Sequence, residues 1–534
     1  MTENLPPFLT KGIIPILSNS QAIELEKTVL LNAEHEWLAM QGVGRITARE
    51  LLEDIKELKP VPENLSVFLL CGRGKNGGDG LLVCDHLLRA LPRAKVSVAL
   101  LGQRSDLNPL AEKALNEVEE RILLHECPEG LSEVKLEALL NEDFGKSQGI
   151  DLCIDGLLGL GYKPPLLPVL SETISVINSC ERFAIRVSID LPSGLSESED
   201  ESVIDADFTY LAGIPKACAF RGNAHYGRLR FIDIGLMDQA REQGFSFETK
   251  TYYADSVFTH QLSALRRANV DKRSFGHLFI IGGSRFMPGA LLMSVKAAIQ
   301  SGIGLVTAFA PGSIVPSLAA QVPEAMWVSL PENRMGTLTP QAADILLSQS
   351  SQATALLIGP GLGRNEETEF FLQKILQEVV QPIILDADAL MPRVIEMIQK
   401  GRNKSQKIVL TPHFGEFLRM TKLAELRLEN NSLLQITKNI GVTVVLKGAI
   451  TRIIDGDSVY INTRGGPVFS RGGSGDLLAG IIGTQLAQPR QSPTDAAILG
   501  VLIHGLAGES LAREAGQIMV RTTQVLDHLS PVLR

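Results

Sequence analysis

Residues 65–90 read LSVFLLCGRGKNGGDGLLVCDHLLRA: an apolar run from Leu65 to Leu70, a turn crowded with Gly72, Gly74, Gly77, Gly78 and Gly80, then a helical pattern from Leu81 to Ala90. Strand, glycine turn and helix N-terminus in that order open a parallel α/β unit, and the glycines admit an anion close to free backbone N–H groups. Working outward, Lys95 to Leu101, Ile150 to Ile154 and Phe183 to Ile189 repeat the apolar run with amphipathic stretches between them. A second series follows at His277 to Ile281, Leu305 to Ala310, Ala355 to Ile358, Pro382 to Leu385, Lys407 to Leu410 and Thr443 to Leu446. Strands alternating with helices imply parallel sheets. The polar segment from Met237 to Thr251 separates the two series and predicts a linker, so the expected domains are 1–245 and 246–534.

The chain has 534 residues, enough for two large α/β domains, and its 45% hydrophobic and 21% charged residues are those of a globular protein. With Lys+Arg 51 against Asp+Glu 60 the net charge is −9, which argues against nucleic acid and anionic membranes as partners. The N-terminal MTENLPPFLTKG lacks the basic and apolar regions of a signal peptide. An uncharged stretch from Ala297 to Pro323 is broken by Gly302, Gly304, Pro311, Gly312 and Pro316, so it reads as buried helix, turn and strand rather than a membrane span. Cysteines at 71, 84, 127, 153, 180 and 218 form no CxxC pair, which points to neither zinc nor disulfides and to a reducing cytoplasm.

Gly72, Gly74 and Gly77 satisfy G-x-G-x-x-G, the mark of a dinucleotide dehydrogenase, yet the next strand ends in Leu101-Gly102-Gln103 where a ribose-binding acid is expected. Asp79, a carboxylate inside a phosphate turn, also calls for a cation or a proton to work on. Two more strand ends carry acids: Asp155, followed by GLLGLG, and Asp190, followed by LPSG. A single such aspartate is most simply a cap; three glycine-bearing turns with acids on one sheet edge favour a shared site.

In the second half, Gly282-Gly283-Ser284 follows a strand, and Pro288-Gly289-Ala290 opens a small-residue helix. Further strand ends carry Gly359-Pro360-Gly361-Leu362-Gly363, the acids Asp386 and Asp388, and Thr411-Pro412-His413-Phe414-Gly415-Glu416. Arg471-Gly472-Gly473-Ser474-Gly475-Asp476 runs into the apolar Leu477 to Ile482: an anion hole at a helix start with a carboxylate at its mouth that can take a proton from an attacking hydroxyl. Upstream, Lys447 follows a strand and suits nucleotide phosphates, while no G-x-x-x-x-G-K-[ST] is present.

The segments NGGDG, DGLLGLG and DLPSG resemble the epimerase domain of the NAD(P)H-hydrate repair enzymes, and GGS, GPGLG, DADAL, TPHFGE, LKG and GGSGD over 276–480 resemble their dehydratase domain. The resemblance implies two three-layer αβα domains, the first Rossmann-like and the second ribokinase-like. It implies that Lys75, Asn76, Gly77, Gly78, Asp79, Gly159, Leu160 and Gly161 cradle the damaged nucleotide, that Asn76, Asp155 and Ser193 ligate potassium, and that Asp190 is the acid/base group. In the dehydratase half it implies Ala290, Gly363, His413 and Asp476 for the hydrated nucleotide, Lys447, Gly448, Ala449, Ile450, Thr451 and Gly475 for the adenosine nucleotide, and Asp476 as catalytic base. Lys75, Leu160, Ile450 and Arg471 depart from the family's usual residues. The implied function is epimerisation of R- and S-NAD(P)HX and dehydration of the S form at the expense of ADP, with magnesium, in a cytoplasmic homo-oligomer. A small-alcohol kinase fused to a nucleotide-binding module is the alternative reading.

Overall fold

The computed structural model describes residues 11–197, 202–221, 225–263, 266, 268–401, 406–425, 429–489 and 491–532. It divides into two compact units, Ile14–Thr249 and Lys250–Arg534, the latter taking in Ile13.

In the first unit seven parallel strands lie in the order Leu123–Glu126, Lys95–Leu100, Ser66–Cys71, Ile150–Gly156, Phe183–Ile189, Phe208–Ala212 and Arg228–Ile232. Alternate residues of the central strand enter opposite cores: Val67 and Leu69 pack with Leu81 and Leu115, Phe68 and Leu70 with Leu140 and Ile174. A strand buried on both faces explains why 65–70 reads as continuous apolar sequence rather than an alternation. The chain turns back in direction between Ser66–Cys71 and Ile150–Gly156, so Gly72 and Gly156 stand at a topological switch point, where sheets of this kind place a ligand crevice.

Two expectations are corrected here. The helix predicted from Leu81 begins at Lys75 and runs to Ala90, so the residues from Lys75 to Gly80 are its first turns and not a loop. Tertiary packing overrides glycine's low helix propensity: a Cβ on Gly77 would lie 2.0 Å from the Gly72 carbonyl oxygen, and one on Gly78 would lie 2.5 Å from Met40. The segment predicted as a linker contains a helix, Leu236–Glu242, whose Met237 and Ala240 are buried.

The second unit holds ten strands in the order Thr251–Ala254, Val459–Asn462, Thr451–Ile454, Thr443–Leu446, Ile408–Leu410, Ile383–Leu385, Ala355–Ile358, His277–Ile281, Leu305–Pro311 and Met326–Leu330. Pairing from Thr443–Leu446 to Met326–Leu330 is parallel, while Thr451–Ile454 is antiparallel to both of its neighbours. Helices Pro288–Gln300, Ser474–Ala487 and Pro493–Ala515 fill one core with Leu278, Ile280 and Leu357. Of the described helices, Pro493–Ala515 alone is long and apolar enough to cross a membrane, and 83% of that apolar window is buried within the unit. The stretch from Ala297 to Pro323 is, as read, a helix end, a turn, the strand Leu305–Pro311 and the short helix Val315–Ala319.

Candidate functional sites

At the switch point of the first unit, the helix Lys75–Ala90 starts from Gly74 without a side-chain cap, leaving its first N–H groups for a ligand. Lys75 is half exposed and pairs with Glu36 at 2.6 Å. Asn76 Nδ2 donates to the Leu158 carbonyl at 2.8 Å, and its Oδ1 is buried without a hydrogen-bond partner. Gly159 sits where a Cβ would come within 3.2 Å of Asn76 and 3.4 Å of Asp190 Oδ2, which brings the two glycine turns to one spot.

Asp155 is buried under four donors: Ser188 Oγ at 2.8 Å, Ser193 N at 2.8 Å, Ser193 Oγ at 2.6 Å and Leu157 N at 3.1 Å. Burial raises its carboxyl above the ordinary value, and those donors oppose the rise. Both its oxygens being engaged, Asp155 holds Ser193 in place and lends negative charge behind it. Ser193 Oγ also lies 3.4 Å from the Leu158 carbonyl oxygen. Together with the orphaned Asn76 Oδ1, this oxygen-only set fits a hard monovalent cation.

Asp190 is 7% exposed and has φ +67°, a left-handed backbone that a non-glycine residue adopts only when its surroundings hold it there. Its Oδ2 accepts from Leu160 N at 3.1 Å, and its Oδ1 accepts from Lys216 Nζ. Lys216 is 1% exposed and also donates to the Ala212 carbonyl at 2.8 Å. Sequence reading missed Lys216 because a lysine after a short strand carries no sign that it is buried. Glu26, from the helix Asn19–Val29, was missed as well; burial raises its carboxyl, with Lys216 opposing and Asp190 adding to the rise.

In the second unit, Ile358, Leu385 and Leu410 are in register, so the residues after them leave one sheet edge together. Asp386, buried, accepts from Thr411 Oγ1 at 2.6 Å and from Lys447 Nζ at 3.1 Å. Lys447 is also 3.9 Å from Glu416 Oε2. Burial opposes the Lys447 charge, but Asp386, Glu416 and Asp476 together hold its pKa above the ordinary value. A Cβ on Gly475 would lie 3.2 Å from Lys447 Nζ, which places the ammonium against the first turn of the helix Ser474–Ala487. Asp476 stands in that turn, and its carbonyl accepts from Ser294 Oγ of the helix Pro288–Gln300 at 2.9 Å. Burial, reinforced by Asp386, pushes the Asp476 carboxyl up to about 7.

Ala290 lies in the first turn of the helix Pro288–Gln300, 3.1 Å from where a Cβ on Gly361 would be. Gly363 has φ +81° and donates its N–H to Asp388 at 3.0 Å. His413 caps the helix Phe414–Thr421: its Nδ1 accepts from Gly415 N at 3.1 Å, leaving a largely exposed ring. The residues from Gly448 to Ile450 form the open hairpin between Thr443–Leu446 and Thr451–Ile454. Arg471 donates to the Gln517 carbonyl at 2.9 Å and to that of Ile518. Thus Asp386, Glu416, Lys447, Gly475 and Asp476 converge, and Asp386 and Glu416, which the sequence noted as strand-end acids without giving them a role, join the site through Lys447. Among the described residues no cluster of three or more His, Cys, Asp and Glu side chains forms a metal cage.

Residues 278–531 match the family described as NAD(P)H-hydrate dehydratase, and residues 39–218 match that described as YjeF-related protein N-terminus. The chain is 34% identical over 489 residues, 88% of each chain, to a bifunctional NAD(P)H-hydrate repair enzyme of Moorella thermoacetica. It is 30% identical over 525 residues to that of Coxiella burnetii, covering 96% of this chain and 98% of the other. Among solved structures, an ADP/ATP-dependent NAD(P)H-hydrate dehydratase from Bacillus subtilis, co-crystallized with ATP/Mg2+, is 26% identical and covers 52% of this chain and 96% of its own, with TM-score 0.44.

Proposed function

The chain belongs to the bifunctional NAD(P)H-hydrate repair enzymes, and we propose that its first unit interconverts the R and S hydrates of NADH and NADPH while its second dehydrates the S form at the expense of ADP, releasing AMP and phosphate. The observation that carries the dehydratase reading is Asp476: a carboxyl tuned to about 7, in the first turn of a glycine-led helix, with Lys447 against that turn.

In the second unit the ionised Asp476 removes the proton of the C6 hydroxyl as that oxygen attacks the β-phosphorus of ADP. The O–P bond forms and AMP departs, while the free N–H groups at Gly475 and the Lys447 ammonium face the developing negative charge. The ring nitrogen lone pair then expels the phosphate, and loss of a C5 proton restores the dihydronicotinamide. Magnesium, when bound with the nucleotide, neutralises phosphate charge. Ala290, Gly363 and His413 are proposed to line the hydrate's place, and Lys447 to Thr451 that of the adenosine nucleotide.

In the first unit Asp190, oriented by Lys216 and Leu160 N, is the acid/base group at C6. Asn76, Ser193 and the charge of Asp155 would hold potassium, which supplies a fixed positive charge beside the anionic nucleotide. The first N–H groups of the helix Lys75–Ala90 receive phosphate, with Gly77, Gly78 and Gly159 to Gly161 keeping side chains out of its path. A cytoplasmic homo-oligomer completes the reading, its two domains dividing within a few residues of the expected 245/246, at the 249/250 boundary of the two units.

The test mixes purified protein with pure R- or S-NADHX, magnesium, potassium and ADP, and follows dihydronicotinamide absorbance. Recovery from both epimers is expected. Recovery from S alone would remove the epimerase assignment, and a stable phosphorylated alcohol with no recovery would replace the dehydratase by a kinase.

A further inference from the structure

We propose that Asp79 is the proton donor of the epimerase crevice, the partner of Asp190 in the reaction, an inference that rests on the epimerase reading of this unit. Asp79 lies one helical turn beyond Asn76, and its Oδ1 is buried with no hydrogen-bond partner among the described residues. An ionised carboxylate left in that state is costly, whereas a carboxylic acid there carries a proton that no described group takes up.

The charged groups facing Asp79 come from four elements. Glu26 lies on the helix Asn19–Val29, Asp190 follows the strand Phe183–Ile189, Lys216 follows Phe208–Ala212, and Lys75 shares the helix of Asp79. The two cations have other partners: Lys216 binds Asp190 and the Ala212 carbonyl, and Lys75 binds Glu36. Burial, together with Asp190 and Glu26, therefore holds the Asp79 carboxyl well above the ordinary range. Asp190, by contrast, accepts an ammonium and an amide, the donors a carboxylate needs. One carboxyl held by two donors and a second whose Oδ1 has no partner supply the two groups that acid/base chemistry at one carbon requires.

C6 of the hydrate is a hemiaminal carbon, bonded to both the hydroxyl oxygen and ring N1. Asp190 removes the hydroxyl proton, the C6–O bond becomes a carbonyl as the C6–N1 bond breaks, and Asp79 delivers its proton to N1. Rotation about C5–C6 presents the other carbonyl face. N1 adds to it and returns its proton to Asp79, while the alkoxide recovers the proton held by Asp190. Nothing is oxidised, no co-reactant is consumed, and the oxygen is retained.

The test follows the R/S ratio of NADHX with the full chain in the absence of ADP, using ADP-dependent loss of S-NADHX by the same preparation as a control for folding. Asp79→Asn is expected to lower kcat for epimerisation by about 10²–10⁴-fold, with dehydration of the S form unchanged and partial rescue in Asp79→Glu. Glu26→Gln removes a like charge near Asp79, so the alkaline limb of the epimerase pH profile is expected to move to lower pH. Epimerisation by Asp79→Asn within about tenfold of wild type, or an unmoved alkaline limb in Glu26→Gln, overturns the inference while leaving the epimerase reading intact. A wild-type protein that does not interconvert the epimers removes both.

Discussion

The dehydratase should lose activity on mild acidification because Asp476 must be ionised to accept the hydroxyl proton. With its carboxyl at about 7, roughly a tenth of the molecules carry the base at pH 6, about half at pH 7 and about nine-tenths at pH 8. The single-turnover rate of S-NADHX dehydration under saturating ADP should therefore rise about fivefold from pH 6 to 7 and about twofold from pH 7 to 8. Asp476→Asn should abolish the rise and lower the rate by roughly 10²–10⁴-fold. The same shift has a stability consequence whose sign is opposite to that of an ion-paired carboxylate. A carboxyl held above its unfolded value leaves the fold unpenalised below about pH 4 and destabilises it progressively as pH rises through about 7. Asp476→Asn should thus raise the unfolding free energy at pH 8 by an amount of order 2 kcal/mol, after allowance for partial solvation, and leave it unchanged near pH 3. A dehydration rate flat between pH 6 and 8, or an Asn variant within tenfold of wild type, would refute the assignment of Asp476 as the base.

Other substitutions probe the remaining assignments. Lys447→Met removes the cation that lowers the Asp476 carboxyl, so the acid limb of dehydration should shift to higher pH; a limb that stays in place or moves lower contradicts the contact. Asp190→Asn should end the use of R-NADHX while S-NADHX dehydration continues, and equal loss of both activities would point to a folding defect instead. Arg230→Met leaves Asp54, which accepts from Arg230 Nη2 at 2.9 Å with both groups buried, short of its principal cation. Denaturant unfolding should show a loss of about 3–5 kcal/mol, and a loss below about 1 kcal/mol would mean that other partners suffice. Gly72→Ala would place a Cβ 1.9 Å from the Leu157 carbonyl oxygen; soluble protein with wild-type epimerase activity would contradict that geometry.

The parallel architecture was legible because its inner strands are largely buried on both faces and so appear as apolar runs, whereas the exposed edge strands Leu123–Glu126 and Met326–Leu330 do not. His277–Ile281, Ala355–Ile358, Phe183–Ile189 and Thr443–Leu446 begin and end where the sequence put them, and others differ by one or two residues. The glycine turns and strand-end acids were legible for a related reason: in a parallel sheet every such turn emerges on one edge. The helix start at Lys75 was not, since glycines at Gly77 and Gly78 look like loop residues until the Gly72 carbonyl and Met40 are seen to leave no room for a side chain. Nor was the helix Leu236–Glu242 at the start of a segment that read as polar linker, since its three buried residues, Leu236, Met237 and Ala240, are too few to stand out as a pattern.

The sequence alone placed the apolar strands read above, the strand ends that carry Asp155, Asp190 and His413, and the glycine-led helix start that carries Asp476, because those are properties of short, contiguous segments; strands such as Leu123–Glu126, Met326–Leu330 and the antiparallel Thr451–Ile454 went unread. Only the tertiary structure decided what charge each site presents. Lys216 comes to Asp190 across 26 positions and Lys447 to Asp386 across 61. Burial, which raises Asp79 and Asp476, depends on elements distant in the chain. Protonation states follow from desolvation and from charges a few ångströms away, and neither distance nor solvent exclusion is written in local sequence.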